Sequence, residues 1–268
     1  MTTLDPILVH RLHEIGLTAD DFGDPAQAWR RLHAQFGPRV TLLDRYALEA
    51  KHRGTTLDGL DRDTKARLQV EVLRLQFPGM EFMSGSERRD GELEVAAYDL
   101  RWPRRFAVWR RRLKAELESA AVRIEHVGST AVPGLAAKPI VDIQVSVPDM
   151  EEEAAYVPAI EHAGLQLRAR EPGHRYFRPP ADRPREVHVH VCEVGSAWER
   201  DHLLFRDYLR AHQSARDAYA SLKRRLAVEY ADDRLAYTDA KSAFILDTVD
   251  AARTWAARTG WAIGGSAS

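Results

Sequence analysis

The chain has 268 residues, 44% hydrophobic and 29% charged, and its 39 Lys+Arg against 40 Asp+Glu leave a formal net charge of −1. Such a composition supports a folded core, excludes disorder as the global state and lacks the basic excess of a dedicated duplex-binding surface. No apolar run is long enough to span a bilayer, the opening MTTLDPILVHRLHEIG does not read as a signal peptide, and the lone Cys192 excludes an internal disulfide and a Cys-rich zinc site, so a cytoplasmic protein is expected.

In chain order, the first 80 residues predict helices. Ile7, Leu8, Leu12 and Ile15 recur at helical spacing between Pro6 and Leu17. Asp24-Pro25 predicts the next start, because Asp accepts from first-turn amides and proline fits there. That helix buries Trp29, Leu32 and Phe36 and stops at Gly37-Pro38. Leu42, Leu43, Tyr46 and Leu48, then Leu60, Leu68, Val72 and Leu75, predict two more, parted near His52-Arg53-Gly54 and closed by Phe77-Pro78-Gly79. Met83 to Glu92 is polar, has no period and reads as a linker. The expected division is a helical domain at 1–82, a linker at 83–93, a second domain at 94–258 and a frayed tail at 259–268.

The second domain changes pattern. A short strand-like start at 94–97 precedes a helix over 103–121 with Phe106, Trp109, Leu113 and Leu117 on one face. A strand at 123–127, a glycine-bearing loop at 128–139 and a β-branched buried strand at 140–147 follow. A helix over 151–163 ends at Gly164; strands are expected at 165–170, 175–178 and 186–191, and helices at about 199–212, 214–230 and 239–258. The fold class is therefore α+β, a mixed sheet flanked by helices with a small N-terminal helical domain.

Chemistry concentrates in His126 to Val145, HVGSTAVPGLAAKPIVDIQV. Gly128 allows a sharp turn that presents backbone amides, Ser129 and Thr130 add hydroxyls, and the set forms an anion nest suited to phosphate. Asp142 lies inside an apolar strand, where an isolated carboxylate is costly and demands a metal, a cation or backbone donors. Lys138 offers a phosphate contact, or is a solvated loop lysine. His126 orients Asp142 or a phosphate, or is a satisfied polar residue at a strand end. Glu186, His188 and His190 alternate and so share one strand face; beside Asp142 they would make a metal site, and otherwise the histidines are hydrogen-bonded strand residues. The chain holds six lysines and 33 arginines, and arginine forks suit phosphate, though codon usage gives the same excess. His202, Arg206 and Arg210 recur one turn apart, which suits an anion clamp or ion pairs such as one to Asp207. Arg175, beside Tyr176 and Phe177, is read as packing rather than base binding.

A Gly-Ser turn followed by a strand acid is the spacing of the nucleotidyltransferase fold. The whole string HVGSTAVPGLAAKPIVDI resembles the hallmark of the GrpB-like family, and the resemblance continues through YDLRWPRRF, GHRYF, VHVHV, HLLFRDYLRAH, YASLKRRLA and YTDAKSAFI, over residues 96–255. It implies a nucleotidyltransferase-like fold and occasional fusion to dephospho-CoA kinase, but no assigned activity, and it places Lys223 and Lys241 at family positions. Residues 1–80 lie outside it. Active nucleotidyltransferases carry a second acid two residues after the first; here that position is Gln144, a weak magnesium ligand.

The expectation is a metal-dependent nucleotidyltransferase-like enzyme moving a nucleotidyl group from a nucleoside triphosphate to an unidentified acceptor. Catalysis would rest on Asp142 and His190; phosphate would be held by Gly128, Ser129, Thr130, Lys138, Arg206 and Arg210; the metal would sit on Asp142, His188, His190 and Glu186. Magnesium is the first choice, and zinc or a transition metal the choice if both histidines bind. The alternative is a non-catalytic nucleotide- or anion-binding module degenerate at Gln144. The expected partner is the triphosphate or another anionic small molecule, with no membrane and no strong nucleic-acid signal. The N-terminal helices would dimerise the protein or present a partner surface.

Overall fold

The computed structural model describes residues 3–83 and 93–264, so residues 84–92 of the expected linker and 265–268 of the expected tail lie outside the described residues. The chain divides into a unit of Met1–Pro78 with Asp233–Leu246, and a unit of Gly79–Asp232 with Asp247–Ser268.

The first unit holds α1 (Pro6–Glu14), α2 (Pro25–Phe36), α3 (Leu42–His52), α4 (Arg62–Gln76) and, from far along the chain, α9 (Arg234–Asp239). Local rules set most of its boundaries. Asp24 accepts from the Ala26 amide at 3.0 Å with Pro25 in the first turn, and Gly37, at φ 59°, ends the same helix. Thr41 and Asp44 cap α3 reciprocally, and Asp61 accepts from the Thr64 amide at 2.8 Å. Leu8, Leu12, Trp29, Leu32, Leu48 and Leu68 are buried, and the Trp29 indole donates to the Thr41 carbonyl at 2.9 Å. Phe36, expected in this core, is half-buried.

The second unit is built on six strands: β1 (Glu81–Phe82), β2 (Arg123–Val127), β3 (Val141–Val147), β4 (Gln166–Glu171), β5 (His174–Arg178) and β6 (Val187–Glu193). Their order is β1-β4-β5-β6-β3-β2, with β3 and β6 parallel and every other pair antiparallel. Its helices are α5 (Arg101–Leu117), α6 (Val157–His162), α7 (Ala197–Ala211), α8 (Gln213–Glu229) and most of α10 (Ser242–Thr259). Strand alternation gives the sheet two unlike faces. Val141, Ile143, Val145, Val147, Val187, Val189 and Val191 join Trp109, Leu113 and Leu117 of α5 and Ile160 of α6 in one apolar core. The opposite face carries Asp142, Gln144 and Ser146 beside His188, His190 and Cys192, in register. α7 sits on that polar face, where Glu199, fully buried, accepts from Ser146 Oγ at 2.5 Å and Arg123 Nε at 3.1 Å.

The elements depart from expectation at four places. The strand expected at 94–97 is a single bridge, Ala96 to Ala137. The helix expected from residue 151 begins at Val157, after a 3-10 turn at Glu153–Ala155; Pro158 has no N–H for the bond that would continue it backward. The final helix expected at 239–258 is α10, and a short helix the sequence reading did not assign, α9, precedes it. Glu81–Phe82, unassigned in the sequence, pairs with β4, so the helical unit stops at Pro78. Among the described residues no helix is long and apolar enough to cross a membrane.

Candidate metal and anion site

The parallel register of β3 on β6 sets Asp142 opposite His188 and Gln144 opposite His190. Asp142, His188 and His190 each offer one ligand atom, and the three atoms lie within 4.8 Å of one another. His188 Nδ1 is 3.2 Å and His190 Nε2 3.7 Å from Asp142 Oδ1. Burial works against the ionised acid, but the hydrogen bond from His188 and the nearby His190 ring outweigh it and hold the Asp142 carboxyl below the usual carboxylate range. Burial pushes His188 down in turn, so the acid is anionic and His188 neutral near pH 7. Those are the protonation states that metal ligation requires. The donor set fits a metal by its chemistry: two imidazoles and one carboxylate suit zinc or a transition ion better than magnesium.

The Gly128 turn abuts this acid. Gly128 has φ 69°, and a Cβ there would lie 2.4 Å from Asp142 Oδ2. Only glycine lets the backbone come so close in that conformation. The next residue, Ser129, accepts a hydrogen bond at 2.8 Å from Nζ of Lys223, a buried lysine on α8 whose ammonium lies 4.4 Å from the Tyr219 ring centroid. The turn thus abuts the acid, and the residue after it carries a hydroxyl paired with an ammonium.

Three neighbours escaped the sequence reading. Arg185 Nε donates to His188 Nε2 at 3.3 Å. His174, buried at the start of β5, places Nε2 2.9 Å from His190 Nδ1. Trp198 of α7 stacks on His174 and His190. His174 stood in GHRYF, but only the pairing of Tyr176 with His190 shows that β5 borders β6.

Several expected site residues go elsewhere. Glu186 precedes β6 and its carboxylate lies 3.5 Å from Arg105 Nε, so it is not in the cluster. Thr130 is buried with its hydroxyl 3.0 Å from His126 Nε2, and is engaged there instead of facing an anion. His126 pairs with Ile143, on the apolar face, and stacks on Phe106 at 4.8 Å; burial lowers its pKa to about 4. Arg206 binds Asp207, Glu125 Oε2 at 2.7 Å and the His126 carbonyl. Arg210 binds the Ala131 carbonyl through two nitrogens, and Asp207. These arginines pin α7 to the β2–β3 connection, because the carboxylates and carbonyls within reach satisfy their forks. Lys138 is half-buried in the loop entering β3. Arg175 pairs with Glu151 and Glu153. Gln144 is fully buried, and neither amide heteroatom has a hydrogen-bond partner among the described residues. A cavity of about 660 Å³ lined by Arg67, Val70, Glu71, Arg74 and Leu75 belongs to the helical unit and holds none of these groups.

The mixed sheet with its Asp/His/His face defines an α+β domain with a candidate metal centre. A family model described as GrpB protein matches residues 92–251, and the chain belongs to the GrpB family. A UPF0157 protein of Streptomyces coelicolor is 49% identical over 155 residues, 58% of this chain and 81% of that one. The crystal structure of the conserved protein GrpB from Enterococcus faecalis superposes with a TM-score of 0.55 at 32% identity, covering 60% of this chain and 99% of that one. A dephospho-CoA kinase of Mycobacterium leprae is 34% identical over 179 residues, 56% of this chain and 44% of that protein.

Proposed function

We propose that the GrpB domain is a metal-dependent nucleotidyltransferase-like enzyme acting on the phosphates of a nucleoside triphosphate. The observation that supports it is the convergence of His188 and His190 on Asp142, the acid that the Gly128 turn abuts. Asp142, His188 and His190 would hold one divalent ion, which supplies charge neutralisation at a phosphate oxygen when bound. Ser129 and the turn's amides hold the phosphate, and Lys223 adds positive charge through Ser129. With a single carboxylate in the cluster, a one-metal arrangement of the zinc class is favoured over a magnesium pair.

A second reading, a binding module without chemistry, is favoured by Gln144, a neutral amide where a second acid would stand. One experiment separates the two. Wild type is incubated with each nucleoside triphosphate and magnesium, manganese or zinc, and pyrophosphate is measured. Under the enzyme reading release is metal-dependent and Asp142→Ala abolishes it. Nucleotide binding by calorimetry without release supports the module, and neither release nor binding removes both.

A further inference from the structure

We infer that Glu171 and His174 form a proton-fixing relay that sets the tautomer of His190 and turns its Nε2 lone pair toward Asp142. The inference rests on the proposed metal site and adds positioning residues to it. Three contacts carry it. His174 Nε2 and His190 Nδ1 are 2.9 Å apart, a distance at which one nitrogen must donate and the other accept. His174 Nδ1 faces Glu171 Oε2 at 3.3 Å, an ion-pair distance without a well-aligned hydrogen bond. His190 Nε2 is the nitrogen that faces Asp142 Oδ1, at 3.7 Å.

Proton bookkeeping gives the direction. Glu171 and His174 are paired residues across the antiparallel β4–β5 ladder, which keeps the carboxylate beside the ring. A carboxylate there favours N–H over a lone pair on His174 Nδ1. The neutral His174 ring then carries its lone pair on Nε2, so His190 donates from Nδ1, and His190 Nε2 is left to serve a ligand. The reverse order would set a lone pair of His174 against the Glu171 carboxylate at 3.3 Å; the order drawn leaves the His190 Nε2 lone pair toward Asp142 Oδ1 at the longer 3.7 Å, where His188 Nδ1 already donates at 3.2 Å. Trp198 fixes the planes: its ring centroid is 4.8 Å from that of His174, at an interplanar angle of 12°, and 5.6 Å from that of His190. A carboxylate or carbonyl behind a ligand histidine is how metal sites orient imidazole and raise its basicity. Here a second histidine extends that link by one ring.

Zinc affinity, read by competition with a chromophoric chelator, tests the relay. His174→Phe keeps the stack on Trp198 but removes the acceptor, and about 10- to 100-fold weaker zinc binding is expected. His174→Gln, whose carbonyl accepts from His190, recovers most of the loss, and Glu171→Gln weakens binding by a smaller factor. Equal affinity in wild type and His174→Phe, with circular dichroism confirming both folds, would overturn the relay while leaving the metal site standing. Zinc binding absent from wild type sinks the metal reading instead, and nitrogen-15 NMR then decides the relay alone. An exchange-protected N–H on His190 Nδ1 in metal-free wild type, gone in His174→Phe, supports it. A lone pair on His190 Nδ1 refutes it.

Discussion

Gly128 shows how a single missing methyl group makes room for chemistry. Its φ of 69° disfavours any L side chain, and a Cβ would press on the Asp142 carboxylate. Gly128→Ala is expected to cost about 2 kcal/mol of stability in urea unfolding and to weaken divalent-metal binding in the same preparation. Gln144 tests the opposite case. Its amide is buried without a partner among the described residues, so Gln144→Met, similar in volume, should stabilise the fold by about 1 kcal/mol by removing a desolvation penalty. A loss of stability in denaturant titration would mean that the amide has a partner in solution. Arg185 gives a third residue-scale prediction. A metal on His188 takes either Nε2, displacing the Arg185 contact, or Nδ1, which puts the proton on Nε2 against a guanidinium donor. Arg185→Ala should therefore tighten divalent-metal binding by about tenfold, since a nearby cation is also removed. Weaker binding by calorimetry would assign Arg185 to holding the site.

Among the elements, α3 carries a titratable switch in stability. Asp239, the last residue of α9, accepts from the Leu43 amide at 3.1 Å. Burial raises its pKa from the ordinary 3.8 to about 6, against the lowering effect of the Leu42 and Leu43 amides. The folded chain thus holds this proton more tightly than the unfolded chain. Its contribution is complete below about pH 4 and is lost as pH rises through about 6. Asp239→Asn should match wild type in acid and exceed it by about 3 kcal/mol at pH 7, in urea titrations across that window. A constant difference between the two chains at all pH values would refute the assignment. Other element boundaries were legible locally. Asp24-Pro25 and Gly37 bounded α2 because caps and φ preferences act within one turn. The late start at Val157 was not, although Pro158 was visible, because the 3-10 turn before it depends on Glu153 reaching Arg170 and Arg175.

For the whole molecule, the helical unit is discontinuous. Ala236 and Tyr237 of α9 are buried, Tyr46 and Asp233 are linked within that unit, and residues 233–246 belong to it while lying inside the family match. A chain trimmed to residues 79–264 should keep the sheet, β1 included, but lose cover over α9. Hydrogen exchange by mass spectrometry should show faster exchange confined to residues 233–246. Unchanged protection there would show that α9 needs no partner from residues 1–78. The same trimming leaves the homodimer expectation testable only if oligomeric state is read alongside that exchange.

The amino-acid order by itself determined the α+β class, the two-faced alternation of β3 and β6, the capped helices and the family, because each follows from periods and caps a few residues long. It also brought Asp142, His188 and His190 into view as a possible set. Tertiary structure alone decided which of the candidate residues meet. Glu186 fell one residue outside β6, Arg206 and Arg210 engaged carboxylates and carbonyls of the protein itself, and Thr130 turned to His126. Arg185 reaches His188 from three residues away, whereas His174 and Lys223 gained their roles only when strand order and helix packing brought distant segments within 2.9 Å of His190 and Ser129. Contacts of that kind depend on register and strand neighbours, which no short window of sequence encodes.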